Sequence, residues 1–172
     1  MVDVTNKKTA DTVAKIQVDF NGDHSQGLYI SGFSVLPEQA DRIEIDADNV
    51  ITLKKGSGFE YLQFSPNQSD PVDCETYRMK YFKFLGLCVV DDTDDANNVA
   101  EWRPPVFGKK KCTSKNDPQL HWYISTMTAF LEPKKDTREH DFSIIYYQSL
   151  NAGTLGGSAS VRVFDPGIRD QD

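Results

Sequence analysis

Runs of alternating apolar and polar residues, each closed by Gly, Pro, Asn or Asp, recur along almost the whole of this chain. A two-residue period puts one set of side chains on each face of an extended strand, so such a chain is committed to β-structure with one wet and one dry face. The first run ends in Ile16, Val18 and Phe20, with Lys15, Gln17 and Asp19 between them. NGDHSQG at residues 21–27 follows as a turn, since Asn-Gly tolerates positive φ and Asp and Ser bond their own backbone. Residues 28–36 read as a second strand, bulged at Gly32. RIEID and VITLKK make two short strands around residues 47–49. FEYLQF at residues 59–64 places Phe59 and Tyr61 on one side and Leu62 and Phe64 on the other. Further on, residues 99–107 with Pro104 and Pro105 suit an edge strand or an extended connection. Residues 120–131, 142–150 and 158–164 complete the series.

The turn-rich residues 65–76 read as a loop. The lysines at 109–111 with the following KNDP read as a turn, the glycines at 56–58 and the later GTLGG as hairpin turns, and DPGIRDQD at residues 165–172 as a polar tail. Residues 1–11 lack periodicity and read as an N-terminal tail. The expectation is a single-domain, all-β antiparallel sandwich over residues 12–172, jelly-roll-like or immunoglobulin-like, with about nine or ten strands.

The longest apolar-rich segment, YRMKYFKFLGLCVV at residues 77–90, is expected to be the central element. Tyr77, Met79 and Tyr81 share one parity and Phe82 and Phe84 the other, so a strand here needs a bulge near Tyr81 or burial on both faces. Helical spacing of Tyr77, Tyr81, Phe84, Leu85 and Cys88 is the rival reading. Aromatic and β-branched content, Gly86 and the neighbouring strands favour a strand.

A chain of 172 residues is long enough to bury a proper core without metal or disulfide staples. The net charge of −7, from 26 acidic against 19 basic residues, repels nucleic-acid backbones and anionic membranes, so neither is an expected partner. The lysine run at 109–111, with Lys115 nearby, reads as a solvated loop face, the alternative being a local anion patch, and it has no stacking aromatics close by. Cys74, Cys88 and Cys112 are odd in number and lack CxxC spacing, which argues against a disulfide framework and a thiolate zinc site. No secretory leader and no apolar run of about 18 residues is visible, so the expected location is cytoplasmic.

Candidate chemistry is sparse. The acidic residues Asp91, Asp92, Asp94 and Asp95, followed by Asn97 and Asn98, supply the hard oxygens that calcium takes. They lack the glycine and distal glutamate of an EF-hand, where Ala96 and Trp102 stand instead, so calcium would need another geometry with help from Asp46 or Asp48. His24, His121 and His140 form no paired ligand motif. His140 and Asp141, as strand neighbours, point apart and do not make a triad, and no GxSxG or phosphate-loop glycine pattern occurs. Trp102, Trp122 and Tyr123, with Tyr146 and Tyr147, are candidates for a flat platform that binds sugar or peptide.

The segment SASVRVFDPGIRDQD resembles the close of the small bacterial DP-EP family, in which a last strand leads into Asp-Pro-x-Ile, here Asp165, Pro166, Gly167 and Ile168. ITLKKGSGFEYLQF is similar to that family's strand, glycine and apolar-strand passage, and Glu132 and Pro133 form an EP pair. The resemblance implies a β-sandwich and a non-catalytic bacterial protein, with no catalytic residues to carry over. Expected, then, is a non-enzymatic protein that works by surface binding or by self-association into a homo-oligomer. The alternative is a calcium-assisted carbohydrate-binding module, with calcium as its one cofactor and a carbohydrate or protein as ligand.

Overall fold

The structure, a computed structural model, describes residues 12–20, 28–67, 81–90, 105–130, 139–149 and 160–170. Among these, eleven strands run β1 (Val13–Phe20), β2 (Ile30–Val35), β3 (Ile43–Ile45), β4 (Val50–Leu53), β5 (Tyr61–Pro66), β6 (Tyr81–Val90), β7 (Val106–Thr113), β8 (His121–Phe130), β9 (Glu139–Ser149), β10 (Ser160–Phe164) and β11 (Gly167–Asp170). The only helical element described beyond an isolated residue is a 3-10 turn, Pro37–Gln39. The fold is all-β and sandwich-like, as the alternation requires.

The first sheet has the order β2-β1-β5-β8-β7. Ala14, Ile16 and Val18 of β1 lie beside Leu62, Phe64 and Pro66 of β5, and Met127 and Ala129 of β8 stand opposite Phe64 and Leu62. All share the inter-sheet face, and most are fully buried. The β1–β5 pair is parallel, because β3 and β4 leave for the other sheet between them.

In the second sheet β9 is the organising strand. β6 pairs with it along residues 141–149 on one side, while β10 takes residues 144–148 and β11 residues 139–141 on the other. β10 and β11 are therefore successive halves of one strand, broken at Asp165 and Pro166. Proline has no N–H for the ladder. The break is bridged instead by the Phe142 N–H donating to the Pro166 carbonyl (3.2 Å) and the Ser143 hydroxyl donating to the Asp165 carboxylate (2.5 Å). β11 then pairs in parallel with β4, which pairs with β3.

Aromatic rings fill the space between the sheets. Phe33 and Phe64 of the first sheet meet Phe164 and Phe142 of the second at centroid distances of 5.3 and 6.0 Å, and Phe20 meets Phe82 edge-on at 5.0 Å. The sheet edges are also stitched at two corners by side chains that accept backbone N–H groups. Asn49 Oδ1 accepts from Phe33 N–H (3.2 Å) and Ser125 Oγ from Phe84 N–H (3.1 Å), so each edge donor finds a partner in the opposite sheet. Asn49 reaches that position from a left-handed conformation (φ 61°). A Cβ on Gly32 would sit 2.8 Å from its Oδ1, so close approach also calls for glycine here. The register shift expected at this glycine falls beside it: Asp19 stands opposite Gly32 and Phe20 opposite Ile30, so Ser31 is the extra residue on β2.

β2 covers only the later residues of β1, starting at Ile16. The uncovered start is paired by a side chain: the buried Gln39 accepts from Lys15 N–H (2.8 Å) and donates to the Val13 carbonyl (2.9 Å), taking the place of a strand.

Tyr146 of β9 points inward and its hydroxyl accepts from Ile30 N–H at 3.3 Å. Burial, acting more strongly than this bond and the nearby Arg162, raises its phenol above the ordinary value of 10.0. Above pH 10 the unfolded chain loses this proton while the folded one holds it, so stability is expected to be complete below pH 10 and to fall as the pH rises further. Tyr146→Phe is expected to cost about 0.5–1.5 kcal/mol at pH 7 and to flatten the alkaline fall. Urea melts at pH 7 and 10.5 measure both.

Several expectations need correction. Residues 81–90 do form a strand, but β6 is paired on one side only among the described residues, and its bulge lies between Phe84 and Gly86. The lysine run belongs to a strand, and the supposed tail contains β11. The glycines at 56 and 58, both at φ 69°, serve a crossover between sheets rather than a hairpin. There the Arg42 guanidinium caps the Ser57 carbonyl through Nε (2.9 Å) and Nη2 and lies 3.9 Å over the Phe59 ring, which buries Phe59 away from Tyr61. Two parallel pairings make the sheets mixed rather than purely antiparallel. The predicted tail at 1–11, the turn at 21–27, residues 77–80 and His24 lie outside the described residues.

Candidate interaction surfaces

Residues of β9 alternate strictly: Phe142, Ile144, Tyr146 and Gln148 face the core, so Ile145 and Tyr147 face outward. Register places Val161 of β10 and Lys83 of β6 on either side of Tyr147. It places Val163 and Gly86 on either side of Ile145, with Leu85 extruded beside Gly86 by the bulge. The outer face of the second sheet thus carries two rows that cross three strands. Val161, Val163 and Leu85 are 60%, 59% and 42% exposed, an unusual clustering for large apolar side chains. These two rows hold one lysine and no carboxylate.

A second surface lies on the β7–β8 ribbon. Register sets Phe107 opposite Met127, Lys109 opposite Ser125, Lys111 opposite Tyr123 and Thr113 opposite His121, all on the face that turns toward the second sheet. Near Met127 that face is core. Farther along the ribbon it emerges into solvent, where Tyr123 is 59% exposed and Lys109, Lys111 and His121 are exposed, while Phe107, on the β7 edge beside Met127, is 46% exposed. The His121 ring meets the Tyr123 ring edge-on at 6.0 Å. On the opposite face Lys110 stands across from the buried Ile124, and Cys112 across from Trp122.

Trp122, expected in a platform, is partly buried and packs against the core, whereas its neighbour Tyr123 is exposed on the other face. Trp102 and the acidic residues Asp91, Asp92, Asp94 and Asp95 lie outside the described residues. Asp46 builds the β3–β4 turn, its Oδ1 accepting from Asp48 N–H (2.9 Å) and Val50 N–H (3.0 Å). Among the described residues no three His, Cys, Asp or Glu side chains gather into a metal-binding group. No protein-family model matches the chain, and no curated protein does. No helix among the described residues is long and apolar enough to cross a membrane.

Cys112 is disulfide-bonded, against the expectation drawn from an odd cysteine count. Three cysteines allow one bridge and one thiol. The sequence reading preferred a solvated loop over an anion patch for the lysines and did not connect Phe107 with them, because three consecutive charges resemble a loop. Their signal was the alternation of Phe107, Lys109 and Lys111, which sets them on one face once residues 106–113 are read as a strand.

Proposed function

We propose that this is a non-enzymatic, all-β protein that acts through its surface by self-association, with the outer face of the second sheet as the interface. The carrying observation is the pair of apolar rows formed by Val161, Val163, Ile145, Tyr147 and Leu85. Because the rows carry no carboxylate, two copies of a chain with net charge −7 meet there with less repulsion than elsewhere. The β7 edge is a poorer route, since three exposed lysines discourage edge-to-edge pairing. Light scattering across a concentration series is expected to show a dimer or larger assembly. Val161→Lys with Val163→Lys is expected to give a monomer whose unfolding free energy stays within about 0.5 kcal/mol. A wild-type monomer at every concentration removes the proposal.

The second reading, a calcium-assisted carbohydrate-binding module, draws support for its sugar half from the exposed ring of Tyr123. Its calcium half rests on Asp91, Asp92, Asp94 and Asp95. Binding there is expected to raise the melting temperature in millimolar calcium, and an unchanged melt counts against it. The disulfide at Cys112 favours an oxidising compartment over the cytoplasmic location expected from sequence. The Asp165 and Pro166 break suits the likeness to the bacterial DP-EP family, whose implied role is also non-catalytic.

A further inference from the structure

We infer that the exposed face of the β7–β8 ribbon is a binding platform for an acidic polysaccharide built of uronic-acid residues. This site is separate from the self-association face and stands or falls independently of it.

One face of the ribbon brings together two cations and a flat ring. Lys109 and Lys111 are on the same face and roughly 6.5–7 Å apart along the strand. Tyr123 lies directly across from Lys111, with His121 against its ring and Phe107 at the far end of the row. An exposed tyrosine ring offers a flat apolar surface to the C–H face of a pyranose, with a hydroxyl at its tip. Lysine ammonium groups are mobile point charges, suited to carboxylates spaced along a chain rather than to a fixed bidentate partner.

Charge complementarity sets the ligand's sign. In a chain of net charge −7, an aromatic ring flanked by two lysines is a local exception to the surrounding field. A nucleic acid fits less well. Two lysines on this face neutralise few phosphates, too few for the counterion release that carries binding to a nucleic-acid backbone. The disulfide carried by Cys112 on β7 itself also suits a compartment outside the reducing cytoplasm.

The test uses the full chain with polygalacturonate and alginate oligomers as probes, a neutral glucan and single-stranded poly(dT) as comparators, and calorimetry at low and moderate salt. Uronate oligomers are expected to bind with submillimolar affinity that weakens as salt rises, and the neutral glucan and poly(dT) at least tenfold more weakly. K109Q with K111Q, and separately Tyr123→Ala, are expected to weaken binding at least tenfold. Tyr123→Phe should retain it, and Lys110→Gln on the opposite face should change it less than twofold. All substituted side chains are exposed, so melting temperatures verify folding. Absence of uronate binding, equal or tighter binding of the glucan or poly(dT), or a Lys110→Gln effect as large as that of the lysine pair would each overturn the assignment.

Discussion

Replacing Phe64 with alanine is expected to lower stability by about 3–5 kcal/mol, a large share of what holds a domain of this size together. The ring has no exposed surface. It lies 5.6 Å from Phe33 in its own sheet and 6.0 Å from Phe142 in the other, so it joins the two layers. Ile16 and Met127 flank it by register on the neighbouring strands β1 and β8. With strands on both sides, the backbone cannot collapse into the space left by a phenyl group, and the cavity persists. For a chain of this size the loss corresponds to a fall in melting temperature of about 6–20 °C. Phe64→Leu leaves a smaller void and is expected to cost clearly less. Equal losses for the two variants would show that the site relaxes and that the ring does not brace the sheets.

Gln39→Ala is expected to cost about 2–4 kcal/mol, although the residue is polar and lies in a one-turn connection. Its amide satisfies the Lys15 N–H and the Val13 carbonyl together, and alanine leaves both without this partner where β2 does not reach. Gln39→Glu separates the bonding from the packing. A carboxylate still accepts from Lys15 N–H but cannot donate to the Val13 carbonyl, and burial raises its pKa. A raised native pKa means that the folded state binds the proton more tightly. The Gln39→Glu variant is therefore expected to gain stability relative to wild type as the pH falls from 7 toward 4, where the protonated carboxyl donates again. Denaturant melts of both proteins at the two pH values decide the matter. A pH-independent difference would mean that the amide fills space and nothing more.

How much of this was legible in the chain follows from what alternation encodes. It specifies that a segment is a strand and which residues share a face, and it placed β1 with its core row and β8 and most of β9 as strands. Alternation contains nothing about neighbours. The parallel pairings of β1 with β5 and β4 with β11 depend on where the chain crosses between layers. So does the place of β6, whose apolar content suggested the middle of a sheet although it is bonded on one side only among the described residues. β7 was hidden because lysines on a one-sided strand need no buried partner and so mimic a loop. β11 was hidden because Pro166 and Gly167 are ordinary stop signals, whereas here they interrupt one long strand and let it resume. The interaction surfaces were legible only in part. Tyr123 was nominated, but pairing it with Lys111 takes the β7–β8 register, and the apolar rows of the second sheet take three registers at once.

The divided strand β10–β11 also bears on the order of folding. β4 pairs with β3 soon after synthesis, but its other neighbour is β11, so Val50 meets Gly167 only after the residues between them have emerged. Until then one edge of β4 presents bare amides and carbonyls, and β9 lacks its last partner. Such long-range closure makes for slow folding. A nascent chain held on the ribosome short of Asp165 is therefore a sheet with an open seam, the form most exposed to proteases and to pairing with the wrong strand.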